Sequence, residues 1–289
     1  WLQAQLLLLM PRPGHALLLQ GPSGLGQYEL GLSLAAAWLC HAPTEHGACG
    51  VCPSCHGIAV RAHADLIVLM PEVDMIELQW PLPEKSLKDI DDKKRKPSRE
   101  IRVEAMRDML SFSQTTSAGA RGKVVFIFPA ERMNHITANT LLKTLEEPPG
   151  DTRFILACQA AQELLPTVRS RCQNHAMAWP ATDQATAWLV QQSVPADDAK
   201  VLLQAAGGRP DDALMLFQSG IKASTWKSLP AQVSKGDGSV LAEHPPALVL
   251  SCLQKICHDM LCTKTGGAPR FFNLNDLPRT GQFDHLSAW

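Results

Sequence analysis

Short apolar runs alternate with helical patterns through residues 1–179, and this alternation restricts the fold more than any other feature of the chain. His15 to Gln20, Leu66 to Met70, Lys123 to Phe128, Arg153 to Cys158 and Asn174 to Ala178 have the length and side chains of buried strands. Between them, Tyr28 to Cys40, Val103 to Thr115, Thr137 to Glu146 and Ala161 to Val168 carry apolar residues at helical spacing, and Pro148-Pro149 stops the third of these. Strands separated by helices predict an α/β fold with a mostly parallel, helix-covered sheet.

The first strand pattern runs directly into Gly21-Pro22-Ser23-Gly24-Leu25-Gly26-Gln27-Tyr28 and then into a helix. Gly21, Gly24 and Gly26 have the spacing of a loop whose backbone N–H groups surround phosphates at a helix N-terminus. The working side chains differ, however: Gln27 stands where a lysine would meet the terminal phosphates, and Tyr28 where a hydroxyl would hold magnesium. At the end of the third strand pattern, Phe128-Pro129 replaces the acidic pair that would face the metal and the attacking water. We therefore expect ATP to be neither bound nor hydrolysed here, the glycines being either a vestigial phosphate loop or a tight strand-to-helix turn.

Cys40, Cys49, Cys52 and Cys55 form C-x8-C-x2-C-x2-C, with Gly50 and Pro53 allowing tight turns. Nine cysteines, four of them crowded into one segment, argue against a disulfide framework. The spacing predicts a closed tetrahedral thiolate site for structural Zn2+ in a reducing cytoplasm, with His46 and His56 as possible substitute ligands. Cys158, Cys172, Cys252, Cys257 and Cys262 lack such spacing and read as packed thiols.

A formal net charge of −1 gives no global field that would draw the chain onto nucleic acid. The apolar runs near Leu6 to Met10 and Ala16 to Leu19 are broken by Pro11, Arg12 and Pro13, so they predict no membrane span, and no signal peptide is evident. From Glu72 to Glu100 the strand-helix pattern lapses into an insertion holding the run Lys93-Lys94-Arg95-Lys96, either a solvated loop or a local DNA-phosphate contact. After Pro180 only helical stretches follow: Asp183 to Gln192, Ala196 to Ala206, Asp211 to Gln218 and, past a flexible link at Ser234 to Ser239, Pro245 to Cys262. The expected organisation is an α/β domain over 1–179 with the cysteine knot at 40–55, a small helical lid over 180–240, and the start of a helical domain over 241–289. The chain opens on Trp1 and stops at Trp289 inside a pattern that still reads as structured, so both ends are expected to be incomplete.

The damaged loop, the cysteine knot, Ala138-Asn139-Thr140-Leu141-Leu142-Lys143-Thr144-Leu145-Glu146-Glu147-Pro148-Pro149 and Ser170-Arg171-Cys172 together resemble the delta-prime subunits of bacterial clamp loaders, in the AAA+ family. The resemblance spans roughly the first two domains. It implies a subunit of the DNA polymerase III holoenzyme that sits in a ring with delta and gamma or tau subunits and helps place the sliding clamp on primed DNA. It also implies that Arg171, within the motif formed with Ser170 and Cys172, reaches a neighbour's ATP site, where a planar cation stabilises the transferring phosphate. Without the resemblance, Arg171 reads as a basic residue near a helix end, and Arg169 as a helper or a surface charge. In the same comparison, Asp211 takes the register of a nucleotide-sensing arginine, with Arg209 nearby, and Ala157-Cys158 the place of a phosphate-sensing polar residue.

Two other functions compete. A divergent ATPase would recruit Lys123 or Glu131, and a zinc-bearing nucleic-acid module would use the knot with Lys93 to Lys96. Each accounts for only part of the chain.

Overall fold

The computed structural model describes residues 1–12 and 14–278. Two compact units divide at Ala178/Trp179. The first unit contains, in order, α1 (Leu2–Leu9), β1 (Ala16–Gln20), α2 (Gln27–Leu39), α3 (Pro53–Ala59), β2 (Leu66–Leu69), α4 (Glu72–Glu77), α5 (Glu84–Asp91), α6 (Val103–Gln114), β3 (Lys123–Ile127), α7 (His135–Glu146), β4 (Thr152–Cys158), α8 (Pro166–Arg169) and β5 (Gln173–Ala176). All strand pairs are parallel, in the order β2-β3-β4-β1-β5. This is the helix-covered α/β sheet expected of an AAA+ chain.

Residue parity explains why the strands read as continuous apolar runs. Successive side chains point to opposite faces of a strand, and here both faces are covered. Leu18, Val125, Ile127, Phe154 and Leu156 join Met106 and Met109 of α6 and Leu141 and Leu145 of α7 in one core. Their neighbours Leu17, Leu19, Val124, Phe126, Ile155 and Ala157 join Leu6 and Leu9 of α1 and Leu30 and Leu34 of α2 in the other.

Several elements depart from the expectation. The pattern at Ala161 to Val168 is split into a 3-10 turn at Ala161–Glu163 and the short α8. Leu165 is extended (φ −56°, ψ 132°) because the ring of Pro166 disfavours a helical residue before it. The Glu72–Glu100 insertion carries α4 and α5, and a buried carboxylate pins it. Glu72 accepts both Nη groups of Arg95 (2.5 and 2.8 Å), Nη1 of Arg102 (3.3 Å) and the Ser98 N–H (2.8 Å). Burial would raise the Glu72 pKa, but the Arg95 and Ser98 hydrogen bonds override it and hold the group down at about 2. Arg95 is thus an internal anchor, while its neighbour Lys94 pairs with Asp92 at the surface (3.0 Å).

The second unit holds α9 (Thr182–Gln191), α10 (Ala196–Ala205), α11 (Pro210–Gln218), α12 (Ala223–Ser234) and α13 (Pro246–Lys264). One cluster of buried side chains runs through it, from Ala185 and Leu202 to Cys252, Ile256 and Phe272. Trp226 of α12 stacks on Phe272 with ring centres 4.6 Å apart. Buried Asp259 accepts the N–H groups of Arg270, Phe271 and Phe272 at 2.7–2.9 Å, fixing the segment that follows α13. Residues 279–289 of the expected C-terminal domain lie outside the described residues.

Two outcomes follow from this packing. A Cβ on Gly31 would lie 2.5 Å from the buried Phe126 ring. Gly31→Ala, which helix propensity alone would favour, is therefore expected to destabilise by about 1–3 kcal/mol in urea unfolding. Glu72 has a folded pKa below its unfolded value, so its stabilisation is present above about pH 4.5 and fades as pH falls toward 2. The stability gap between the native chain and Glu72→Gln should be largest near pH 7 and close through that acid window; a gap independent of pH would contradict the assignment.

Candidate nucleotide loop, metal centre and arginine

In a parallel sheet the C-terminal strand ends share one edge, and the glycine loop leaves β1 there. Gly24 and Gly26 have φ of +77° and +85°, the left-handed region that lets the chain turn tightly into α2. The Gly21 N–H donates to the Cys158 carbonyl at the end of β4 (3.3 Å).

The loop is bonded to itself. Gln27 is 3 % exposed, and its Nε2 donates to the carbonyls of Gly21 (2.8 Å) and Pro22 (2.7 Å). An amide nitrogen has two N–H groups, so both are committed to the loop's own backbone. Tyr28 turns toward Phe126 and Phe128, with ring centres 5.8 and 5.4 Å away, and its hydroxyl accepts the indole N–H of Trp80 at 2.6 Å. Burial pushes the Tyr28 pKa up, against the Trp80 hydrogen bond. The aromatic group therefore joins the first turn of α2 to the end of β3. On the outer side, Trp1 donates its indole N–H to the Leu25 carbonyl (2.9 Å), and the Leu2 side chain abuts Gly26. Trp1, Leu2 and Trp80 were not legible as parts of this site: each reaches it through a tertiary contact with no local pattern.

Of the two residues a divergent ATPase would recruit, Lys123 lies away from the loop and Glu131 lies on the loop's edge of the sheet, beside the end of β4. Lys123 begins β3, at the sheet edge opposite the loop, and its ammonium donates to the Phe112 carbonyl (2.6 Å) and the Thr115 hydroxyl. Glu131 accepts the Gln159 N–H (3.0 Å), and burial raises its pKa. Cys158 ends β4 fully buried, its thiol pushed up to about 12 first by burial and then by Glu131. In the second unit, Arg209 pairs with Asp212 at 2.7 Å, and Asp211 lies in the first turn of α11.

The four cysteines converge. Sγ atoms of Cys40 and Cys52 are 3.8 Å apart, Cys49 and Cys55 3.9 Å, Cys52 and Cys55 3.5 Å, and Cys40 and Cys55 3.7 Å. A tetrahedral metal with bonds of ~2.3 Å to sulfur requires sulfur–sulfur edges of about 3.8 Å, so the set fits such an ion. Gly50 (φ +77°) makes the turn between Cys49 and Cys52, and Pro53 starts α3 with Cys52 as its N-cap. Backbone N–H groups of Cys55 and His41 lower the Cys52 pKa to about 6, while burial lifts Cys55 to about 12. A bound cation would favour the thiolate at both. Behind the knot, Ser54 donates to the Leu39 carbonyl (2.8 Å) and meets His63 Nε2 (2.7 Å), and the Asp65 N–H donates to His63 Nδ1 (3.0 Å). His46 and His56 are outside the cluster.

Arg171 follows the short α8. Cys172 beside it is buried and its thiol is pushed up to about 12 by that burial, so the motif is anchored in the core by one residue while its neighbour faces outward. The Arg171 side chain is 31 % exposed. Its Nε donates to Glu146 Oε1 (2.6 Å), Nη2 donates to the same oxygen, and Nη1 donates to the Thr167 carbonyl (2.8 Å). Ser170 also donates to Thr167 O (3.1 Å), and Arg169 is exposed.

No helix among the described residues is long and apolar enough to cross a membrane. The family model described as "DNA polymerase III, delta subunit" matches residues 6–180. DNA polymerase III subunit delta' of Pseudomonas aeruginosa is 35% identical over 278 residues, 93% of this chain and 76% of that protein. The corresponding subunit of Escherichia coli is 33% identical over 72% of this chain and 55% of its own length. DNA polymerase III subunit tau of Salmonella typhimurium is 29% identical over 84% of this chain and 33% of its own. With its parallel sheet, its glycine loop and a family match that begins at residue 6 and runs to the end of the first unit, the chain belongs to the delta-prime family of DNA polymerase III clamp-loader subunits.

Proposed function

We propose that this chain is a non-hydrolysing AAA+ subunit of the clamp loader that supplies Arg171 to the ATP site of an adjoining subunit. The observation that carries the reading is the contrast between its two sites. Gln27 commits its amide to the loop's own carbonyls and Tyr28 packs on Phe128, whereas Arg171 lies at the surface, braced and partly uncommitted. A cation presented from outside to a terminal phosphate stabilises charge that develops in the transition state, without chemistry at its own loop.

The proposed partners are gamma or tau subunits, which carry the hydrolytic sites, and delta; through the assembled ring the chain acts on the sliding clamp and primed DNA in the cytoplasm. Relatedness to a tau subunit supports a place beside subunits of the same fold. The segment 241–289 is read as the start of a helical collar for oligomerisation, with 180–240 as the lid before it. Gly21, Gly24 and Gly26 are read as a retained turn, vestigial as a phosphate site.

The cysteine set is proposed to hold structural Zn2+. Four thiolates leave no coordination position for a reacting water, and the Ser54–His63 link carries the knot's rigidity to the start of β2.

In a reconstituted loader, Arg171→Ala should lower clamp- and primer-stimulated ATP hydrolysis by about 10-fold or more with assembly intact. A native rate would leave a scaffold without a trans-acting arginine. Removing the metal from the isolated chain should lower the melting temperature by more than about 5 °C, because the binding free energy is folding free energy. Cobalt added back should give the absorption of tetrahedral thiolate coordination. Unchanged melting after verified metal loss would remove the structural role.

A further inference from the structure

We infer that Glu146 is a positioning residue for Arg171, holding one edge of the guanidinium so that the opposite edge meets a phosphate on the neighbouring subunit. This deepens the trans-arginine reading and rests on it.

The placement of Glu146 is unfavourable for its own helix. It is the last residue of α7, with Glu147 at the cap, and a helix C-terminus carries partial negative charge that disfavours carboxylates. The cation hydrogen-bonded to it comes from outside the helix, 25 residues along the chain. Nor does the pair serve stability: with 31 % and 49 % of the two side chains exposed, water screens most of the attraction. A costly acid paired at the surface is therefore better explained by what it does to the arginine.

Guanidinium carries five N–H groups in a rigid plane. Nε and Nη2 each donate one to Glu146 Oε1, and Nη1 donates one to the Thr167 carbonyl. Two N–H groups remain for a second anion, one on each Nη. That fork matches two oxygens of a phosphate. It is held from two directions, by the end of α7 and by α8, while buried Cys172 fixes the adjacent backbone. An unbraced arginine on a flexible stem would have to be ordered at the moment of reaction; here the ordering precedes contact.

The test compares native loader with Arg171→Ala, Glu146→Ala, Glu146→Gln and the double alanine variant. Glu146→Ala should lower kcat of clamp- and primer-stimulated ATP hydrolysis by about 10-fold, with KM for ATP, assembly and chain melting unchanged. Glu146→Gln, whose carbonyl can accept the same N–H groups, should recover most of the rate. The double variant should be no slower than Arg171→Ala alone. In the isolated chain, the Arg171 Nε–H resonance should be protected from exchange and lose that protection in Glu146→Ala. A slow Arg171→Ala beside a native or faster Glu146→Ala overturns the positioning role and leaves the trans arginine standing. A native rate in Arg171→Ala overturns both. If Glu146→Ala does not assemble, the resonance decides: unchanged protection overturns the inference.

Discussion

Burial of the central strands on both faces is the constraint from which the rest of the first unit follows. β3 and β4 are covered by α6 and α7 on one side and by α1 and α2 on the other, which fixes their register and brings the ends of β1, β3 and β4 to a common edge. The glycine loop belongs to this architecture. Gly24 and Gly26 carry the chain into α2 at the angle that lets Gly31 approach Phe126, and that packing is needed whether or not a phosphate ever binds. The turn is held from within by the Gln27 amide, bonded to the Gly21 and Pro22 carbonyls, so its geometry does not depend on a ligand.

The sheet was largely legible because parallel strands buried on both faces are uninterrupted apolar runs, and no observed strand end lies more than two residues from the expected one. The knot was legible because closely spaced thiols on turns have few other uses. What escaped had no local signature. α1 is almost uniformly apolar, so its run of leucines carries no period to distinguish helix from strand. α5 buries no side chain, and α12 contains Pro230, which argues against a helix interior when read alone. Trp80 meets Tyr28 across 52 residues. Arg95 sits in a basic run that reads as solvated, and only the buried Glu72, 23 residues earlier, shows that one member of the run is internal.

The chain uses buried carboxylates to tie loops down, each with a full set of donors. Asp65 accepts the N–H groups of Ala118 and Gly119 and the hydroxyl of Ser117, fixing the entry to β3; burial opposes the charge, and these bonds outweigh it to lower the pKa. Glu72 does the same for the insertion, and Asp259 for the segment after α13. A buried carboxylate without such donors would be protonated or destabilising, so these anchors are specific to one backbone path.

Glu146 and Arg171 obey the opposite logic. A buried pair would gain strength from low dielectric but would cost too much to open, and an arginine sealed inside its own subunit could reach nothing. At the surface the attraction is weak and water competes for both groups, yet two hydrogen bonds to a single oxygen still select one orientation of a planar cation. Orientation without deep stabilisation is what a group must have if a second anion is to share it, since a brace this weak loses little when that anion leaves.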